Sequence, residues 1–448
     1  MPIVCFARAK IGKILKRQII SDSIIFLIFA ASMTSSRNKY PIRRVIRDFF
    51  VAPKEERGSG MKERIGGLRR YIDTVKPNFI EKGRFAWLQS TFEAFESFLF
   101  VPDKTTHHGC HVRDVVDLKR TMITVVIALM PALLFGIWNV GYQHYLVVDE
   151  QVGFWQIIGY GLLTTLPVIV VSYIIGLAIE FVFAQIRRHQ VNEGFLVTGM
   201  LIPMVLPPDI PLWMVALATA FAVLIGKEAF GGTGMNFLNP ALLARAFLFF
   251  AYPSAMSGDR VWIAGQPDAV TGATSLGVLA DGGANLPSVW TMIWGGIPGC
   301  LGETSKIAIA IGAVLLLMTG IANWRIVLSV FLGGIGMGLI FNAVGQNAYM
   351  QLPFYYHLLM GGFAFGAVFM ATDPVTAPQT NLGKWVYGLL IGVFAVMLRV
   401  INPAYAEGMM LAILLMNCFA PLIDHIVIAR NIAMRQKRAQ LKSKTYQP

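Results

Sequence analysis

The chain has 448 residues, of which 55% are hydrophobic and only 14% are charged, and its mean hydropathy is +0.60. Soluble domains carry about 25% charged residues, so most of this chain does not face water. The net charge of +13 is concentrated in the termini and short loops, which is typical of an oriented membrane protein and argues against nucleic-acid binding. The four cysteines form no CxxC pair, so we predict no disulfide framework and no metal site held by this chain alone.

The first 120 residues contain no full membrane span. The apolar stretch 19–33 follows three basic residues and could pass for a signal-peptide core. We favour the alternative that residues 1–60 are an extension without functional weight and that the chain proper starts at Met61. Residues 61–120 are mixed polar and aromatic, and we predict that they form a cytoplasmic N-terminal segment.

The rest of the chain is a series of long apolar runs, and a transmembrane helix needs about 20 such residues. We predict an all-α polytopic membrane protein with about ten transmembrane helices. The runs are 121–140, 154–184, 194–206, 212–227, 237–252, 304–322, 324–343, 357–371, 384–400 and 404–426. The third, fifth and eighth are short and interrupted by Pro or Gly, and such broken half-helices are typical of binding sites at membrane depth.

Three weak matches indicate an internal repeat. Residues 154–157 resemble 323–326, residues 193–195 resemble 361–363, and residues 239–241 resemble 402–404, at offsets of 169, 168 and 163 residues. Chance recurrence of Gly and Asn-Pro in apolar sequence is the alternative. A duplication would give five helices per half, 121–252 and 304–428, and an odd number makes the two repeats inverted.

Basic residues predict the orientation. The tail 429–448 holds six Lys or Arg residues, whereas the long loop 253–303 holds one basic residue, Arg260. The positive-inside rule therefore places both termini in the cytoplasm and the loop in the periplasm. Arg399 does not fit, because it would lie at the outer end of the ninth run.

The outer loop contains Thr271-Gly272-Ala273-Thr274, which by composition is a plain turn whose small residues would let a bulky group approach. This motif resembles the flavin attachment site of the Na+-translocating NADH:quinone reductase and of the related Rnf complexes. Longer segments resemble the B subunit of that reductase. They are HVRDVVDLKR (111–120), VNEGF (191–195), KEAFGGTGMNFLNPALLARAFLFFAYP (227–253), GGFAFGAVFMATDPV (361–375) and NPAYAEGMMLAIL (402–414).

The resemblance implies FMN bound covalently to Thr274 through a phosphoester and a second, non-covalent riboflavin. Asn236 and Asn239 follow three glycines, and composition alone favours the interpretation that both cap a broken helix. The resemblance instead favours contacts of both amides with that riboflavin. Gly176 is the candidate for a ubiquinone contact, although it precedes Leu177 where relatives can carry a second glycine. No catalytic residue is predicted, since the cofactors carry the redox chemistry.

Carboxylates at membrane depth are costly and usually functional. Glu180, Asp373 and Asp424 are candidates for a Na+ path near the cytoplasmic side, with interfacial or capping roles as the alternative. Glu407 also lies at membrane depth, and Arg245 is expected to face protein or a cofactor.

The implied function is transfer of electrons from FMN through riboflavin to ubiquinone, coupled to Na+ export across the bacterial inner membrane. The implied partners are the bilayer and the other five subunits, A, C, D, E and F. Two alternatives stay open: the D subunit of an Rnf-type complex, and a secondary transporter or channel without redox chemistry.

Overall fold

The computed structural model describes residues 72, 74–78, 92, 118–150, 152–187, 194–258, 261–265, 272–280, 286–402 and 407–445. The predicted extension 1–60, most of 61–117, Thr271 and parts of two repeat matches lie outside these residues. The described residues form helices and contain no strand.

Nine helices of eleven or more residues are present among the described residues. They are α1 (Leu118–Val148), α2 (Phe154–Arg187), α3 (Phe195–Val205), α4 (Leu212–Gly226), α5 (Pro240–Ala251), α6 (Lys306–Thr319), α7 (Trp324–Val344), α8 (Asn381–Ile401) and α9 (Gly408–Thr445). Side chains of Asn239, Ser305, Asn323 and Thr380 accept backbone N–H bonds at the starts of α5, α6, α7 and α8. Short polar residues at the ends of apolar runs thus set where these helices begin.

Shorter helices fill the two long connections. The first connection holds Pro253–Met256, Ser275–Ala280 and Val289–Trp294, and the second holds Ala348–Gln351, Phe354–Leu359, Phe363–Phe365 and a π-helix at Gly366–Met370. The predicted eighth run, 357–371, is therefore a chain of short pieces with a break at Gly361, whose φ is +59°. The break places free backbone groups inside the bundle, where other residues must satisfy them.

The prediction of a polytopic all-α membrane protein is confirmed. Among the described residues, six helices are long and apolar enough to cross a bilayer, and they contain α1, α2, α4, α7, α8 and most of α9. Three shorter apolar helices, α3, α5 and α6, and the broken region 354–370 occupy the remaining predicted runs. The count of ten spans stays a prediction, because these four regions are too short to cross alone.

The two halves have a similar order of elements: two helices, a short helical region that is continuous in the first half and interrupted in the second, and two more helices. In the first half α2 packs on α4 and α4 on α5, and in the second half the helices in the same places, α7, α8 and α9, pack in the same way, α7 on α8 and α8 on α9. Phe195 at the start of α3 lies against Gly176 of α2, and Phe363 in the second broken helix lies against Gly334 of α7. This likeness is what a duplication would produce, and the inverted orientation of the halves stays a prediction.

Part of the predicted outer loop is buried in the bundle. The Gly302 amide donates to the Met204 carbonyl at 2.9 Å, and the Cys300 thiol donates to the Val205 carbonyl at 3.3 Å. From α1, Asn139 donates to the Ile297 carbonyl at 2.9 Å. Residues 297–306 therefore run between α1 and the end of α3 and bring charged side chains into the bundle.

Candidate functional site

Thr274 immediately precedes the helix Ser275–Ala280 and caps it. Its Oγ1 accepts a hydrogen bond from the Gly277 amide at 3.2 Å, and its side chain is partly exposed. The neighbouring Ser275 hydroxyl is buried. Of these two adjacent hydroxyls, Thr274 is the one that a large group can reach, and a phosphoester oxygen there could still accept the amide hydrogen bond.

The helix that follows Thr274 is fastened to the second half of the bundle. The Tyr349 hydroxyl donates to the Leu276 carbonyl at 2.9 Å. The Leu276 side chain lies against Gly361, where an added Cβ would be 2.7 Å from Leu276 Cδ1. Leu276, two residues after Thr274, thus contacts Gly361, where the helical region 354–370 is interrupted.

The two predicted amides lie between the glycine-rich loop and α5. Asn239 Oδ1 accepts hydrogen bonds from the Ala241 and Leu242 amides, at 3.0 and 3.4 Å, and so caps α5. Asn236 Nδ2 donates to the Leu238 carbonyl at 3.3 Å. Asn239 therefore has a capping role, and a ligand role for either amide stays a prediction.

Both amides line a cavity between the two halves of the bundle. Its volume is about 100 Å³. Apolar walls come from Met122, Val125, Leu201, Leu316, Ile321 and Phe369. Polar groups are few: the two amides, Thr121, Thr198, Thr233, Thr372, Lys227 and Asp373.

Lys227 connects this cavity to two further predicted residues. Its ammonium group forms a buried ion pair with Glu180, and it lies 5.8 Å from the centre of the Phe195 ring. That ring occupies the space beside Gly176, because an added Cβ there would lie 1.8 Å from Phe195 Cζ. Glycine at position 176 therefore leaves room for the Phe195 ring. This packing accounts for the glycine without a quinone contact.

Asp373 and Asp424 accept hydrogen bonds from opposite ends of the loop that connects the π-helix to α8. Asp373 accepts hydrogen bonds from the Val375 amide and the Thr376 hydroxyl, both at 3.1 Å. Asp424 on α9 accepts from the Gln379 and Thr380 amides, at 2.6 and 3.0 Å. Asp373 faces the cavity, whereas Asp424 is not among its lining residues.

A group of five buried or largely buried charges, which we name the Arg245 cluster, surrounds the break at Gly361. Its members are Arg245, Glu303, Lys306, Arg399 and Glu407. Arg245 of α5 forms an ion pair with Glu407, which precedes α9, so this pair joins the two halves. Carboxylate atoms of Glu303 and Glu407 converge on Gly362, where an added Cβ would lie 3.1 and 2.4 Å from them.

The cations of the cluster satisfy the carbonyl groups that the break exposes. Arg399 donates to the His357 and Met360 carbonyls at 2.7 and 3.2 Å. Lys306 donates to the Gly361 carbonyl at 3.3 Å and also to the Glu303 carbonyl. Arg399, which did not fit the positive-inside rule, is fully buried. It caps the short helix before Gly361 by donating to its last carbonyl groups.

The sequence patterns indicate only part of this cluster. Arg245 and Glu407 stand out as charges within apolar runs, but their pairing does not, because 162 residues separate them. Glu303 and Lys306 lie where a loop meets a run, which is typical of exposed residues. Arg399 is a sequence signal for this cluster, because the positive-inside rule does not account for a basic residue at the outer end of the ninth run. A charge at membrane depth usually has a buried partner.

Comparison with known proteins agrees with the resemblance. A model of the NQR2, RnfD, RnfE family matches residues 105–433. The B subunit of the Na+-translocating NADH-quinone reductase of Ectopseudomonas mendocina is 49% identical, over 83% of this chain and 99% of the relative. The proteins of the same name from Azotobacter vinelandii and Chromohalobacter salexigens are 46% and 45% identical, over 83% of this chain and 99% and 97% of the relatives. The chain therefore belongs to the NQR2, RnfD, RnfE family.

Proposed function

We propose that this chain is the membrane-embedded B subunit of a Na+-translocating NADH:ubiquinone reductase. In this proposal it carries electrons from covalent FMN through riboflavin to ubiquinone, coupled to Na+ export. The observation that carries the proposal is the likeness, over nearly their whole length, to relatives named as that subunit. FMN and riboflavin would supply reversible electron uptake, and the residues of this chain would hold and orient them.

Thr274 is the residue that we propose to hold FMN, because its hydroxyl is partly exposed at the start of a short helix. Flavin fluorescence of the denatured band on a gel tests this attachment. Thr274→Ala should abolish the fluorescence of this band, whereas Ser275→Ala, which removes the buried neighbouring hydroxyl, should keep it. Covalent fluorescence that persists in Thr274→Ala would refute the attachment.

We propose that riboflavin binds beside Asn236 and Asn239, and the support is that these amides line a cavity with apolar walls and a few hydrogen-bonding groups. Asn239 uses its oxygen as a cap, so its Nδ2 is the group available to donate to a flavin. Acid precipitation of the purified complex followed by chromatography measures the released riboflavin. Asn236→Leu, which keeps the size but removes the amide, should reduce it several-fold.

Gly176 is the proposed quinone contact, and Glu180, Asp373 and Asp424 are the proposed residues of the Na+ path. The support for the path is that Asp373 faces the cavity and that Glu180 reaches it through Lys227. Asp373→Ala should raise the Na+ concentration for half-maximal turnover, measured in sealed vesicles. An unchanged Na+ dependence would remove Asp373 from the path.

The remaining parts of the proposal concern assembly and orientation. The chain would sit in the bacterial inner membrane with subunits A, C, D, E and F, with both termini in the cytoplasm and the Thr274 loop in the periplasm. Its support is the set of six long apolar helices and the basic, exposed end of α9. Labelling of single introduced cysteines with a membrane-impermeant reagent tests the orientation.

A subunit of an Rnf-type complex is the main alternative, since the family includes both. NADH-driven quinone reduction in membranes separates the two, because an Rnf-type complex would require ferredoxin. A transporter without redox chemistry would show no bound flavin in either of the assays above.

A further inference from the structure

The last helix, α9, continues well past the level at which its neighbours α7 and α8 begin. At that level Arg325 of α7 donates to Asn381 Oδ1 of α8 at 3.2 Å, and Asp424 of α9 accepts hydrogen bonds from the two backbone amides just before α8. An α-helix rises 1.5 Å per residue, so the part of α9 from Asp424 to Gln440 is about 24 Å long. This part therefore projects beyond α7 and α8.

We name residues 428–440 the projecting segment, and all of them are exposed. The segment carries four cations, and the sequence holds no Asp or Glu after Asp424. The cations are Arg430, Arg435, Lys437 and Arg438. Concentrated like charges are often interaction sites, and any partner that matches this charge must be acidic.

The projecting segment has two different sides. At 3.6 residues per turn, positions spaced i, i+4, i+8 and i+11 share one side of a helix. One such side is uncharged and mostly apolar: Ile428, Ile432, Gln436 and Ala439. The opposite side holds three of the cations: Arg430, Lys437 and Arg438. Ile428 and Ile432 are 48% and 50% exposed, and a short helix with an uncovered apolar side is marginal in water. Contact with a partner would stabilise it.

Distance from the bilayer argues against lipid headgroups as that partner. Trp324 and Trp385, whose rings meet edge to face at 5.8 Å, lie near the starts of α7 and α8, and such aromatic residues mark the membrane interface. Asp424 lies at the same level. Lys437 and Arg438 are about 20 and 21 Å further along the helix, whereas attraction to anionic lipid falls off within about 8 Å at physiological salt. Even a tilt of about 40° leaves them outside that range.

A second copy and a nucleic acid are also poor matches. Two projecting segments would bring four like charges from each chain together without a carboxylate to pair them. A nucleic acid would use the cations but would leave Ile428 and Ile432 in water. An acidic groove on a protein engages both sides, because an amphipathic helix places its apolar side in such a groove and its charges at the rim.

We propose that the projecting segment docks in an acidic groove of another protein on the same side of the membrane. Ile428 and Ile432 would contact the apolar floor, and the four cations would face carboxylates at the rim. The inference rests on the proposed function in taking that partner to be the soluble part of another subunit of the same complex. It gives the basic end of α9 a role in assembly in addition to its role in orientation.

Carbodiimide crosslinking of the purified complex tests the contact, because this reagent joins a lysine amine directly to a carboxylate in contact with it. We expect peptide mapping to find Lys437 joined to an Asp or Glu of another subunit. Lys437→Arg keeps the charge but removes the reactive amine, so the link should disappear while the complex stays assembled. A complex that holds other subunits but shows no such link, or a link only to carboxylates of this chain, overturns the inference. A purified chain without any other subunit would instead refute the proposed assembly.

Trypsin cleavage after Arg430 in the same complex reports how tightly the segment is held. Arg435→Gln/Arg438→Gln should speed this cleavage about fivefold, because two ion pairs with the partner are lost. Arg325→Gln/Lys384→Gln is the matched control, since it removes two cations near the starts of α7 and α8, and its cleavage rate should equal that of wild type. Equal rates for the two double variants would overturn the inference.

The cleavage assay also tests the apolar contact and the other partners. Ile432→Ala should speed cleavage because it removes the groove contact, even though alanine favours the helix, whereas Met434→Ala on the cationic side should not. Protection should be equal in nanodiscs of neutral and of anionic lipid, and it should survive nuclease treatment. Protection that requires anionic lipid, or that nuclease abolishes, overturns the inference in favour of a headgroup or a nucleic acid.

Discussion

Gly176 offers the sharpest test of how the first half of the bundle is packed. A Cβ added at this position would lie 1.8 Å from Phe195 Cζ and 2.4 and 2.5 Å from the two adjacent ring carbons. Carbon atoms pack at about 3.5–4.0 Å, so the ring would have to shift by roughly 2 Å. Phe195 is fully buried, and we expect Gly176→Ala to strain the core rather than to open space.

The magnitude follows from two opposing terms. Overpacking of a filled core costs about 1–3 kcal/mol, and replacing glycine by alanine within a helix contributes up to about 1 kcal/mol of stability. The net expectation is a loss of about 1–2 kcal/mol in the free energy of unfolding. Because the Phe195 ring lies 5.8 Å from the Lys227 ammonium group, the shift should also disturb the cavity wall.

The assay is thermal unfolding of the purified complex, together with the quinone KM. Gly159→Ala on the same helix is the matched control, since an added Cβ there meets no atom within 4 Å, and we expect it to be neutral or slightly stabilising. The double variant Gly176→Ala/Phe195→Leu should recover much of the stability and the KM, because the smaller side chain removes the clash. Equal melting temperatures for the two single variants would refute the packing account, and a raised KM that persists in the double variant would favour a direct quinone contact at Gly176.

Three further predictions concern stability, each measured by thermal unfolding. Glu407→Gln should cost about 3–5 kcal/mol because it leaves Arg245 buried without its carboxylate, and the double variant with Arg245→Gln should lose less. Asn239→Ala should cost about 1 kcal/mol as a lost helix cap, with no such loss if its amide serves only a ligand. Gly361→Ala should destabilise by about 1–3 kcal/mol, since φ is +59° and its Cβ would lie 2.7 Å from a leucine side chain, while Gly336→Ala, with open space around it, should not.

Sequence patterns predict the helices well because the bilayer leaves few alternatives. Long apolar runs must form helices where no water is available to satisfy the backbone, so their positions follow from composition. The weakness of the third and eighth runs is also informative, because the third forms a helix of only eleven residues after Gly194 and the eighth is interrupted at Gly361. The interruption at Gly361 lies beside charged side chains, which satisfy the backbone groups that it leaves free at this depth.

The contacts between distant segments could not be predicted in this way. Periodicity describes which face of one helix is apolar, but it does not say which helix that face will meet. Lys227 and Glu180 are 47 residues apart, and neither run of sequence indicates the other as its partner. The burial of residues 297–306 had no signal either, because small and polar residues in a connection are typical of an exposed loop.

The amides show a different limit. Asn236 and Asn239 are open to two interpretations, a cap or a ligand contact, and an asparagine can serve both since its oxygen accepts while its nitrogen donates. The structure assigns the oxygen of Asn239 to the α5 cap. Residue type and spacing alone do not separate these roles, because both require the side chain at a helix start.

The short helical regions that follow Gly194 and surround Gly361 differ in how they are packed, and this difference bears on the proposed ligand site. At Gly361 the Arg245 cluster fills the space, so that the cavity there holds only about 10 Å³, and Arg399 and Lys306 use their donors on the exposed carbonyls. Beside Gly194 a cavity of about 100 Å³ stays open, and the cation on its wall, Lys227, is paired with Glu180. Backbone carbonyl groups that already accept hydrogen bonds from the protein are not available to a ligand. Polar groups that line an open cavity are available to one. This contrast supports the proposed ligand site next to Asn236 and Asp373 over one beside Gly361.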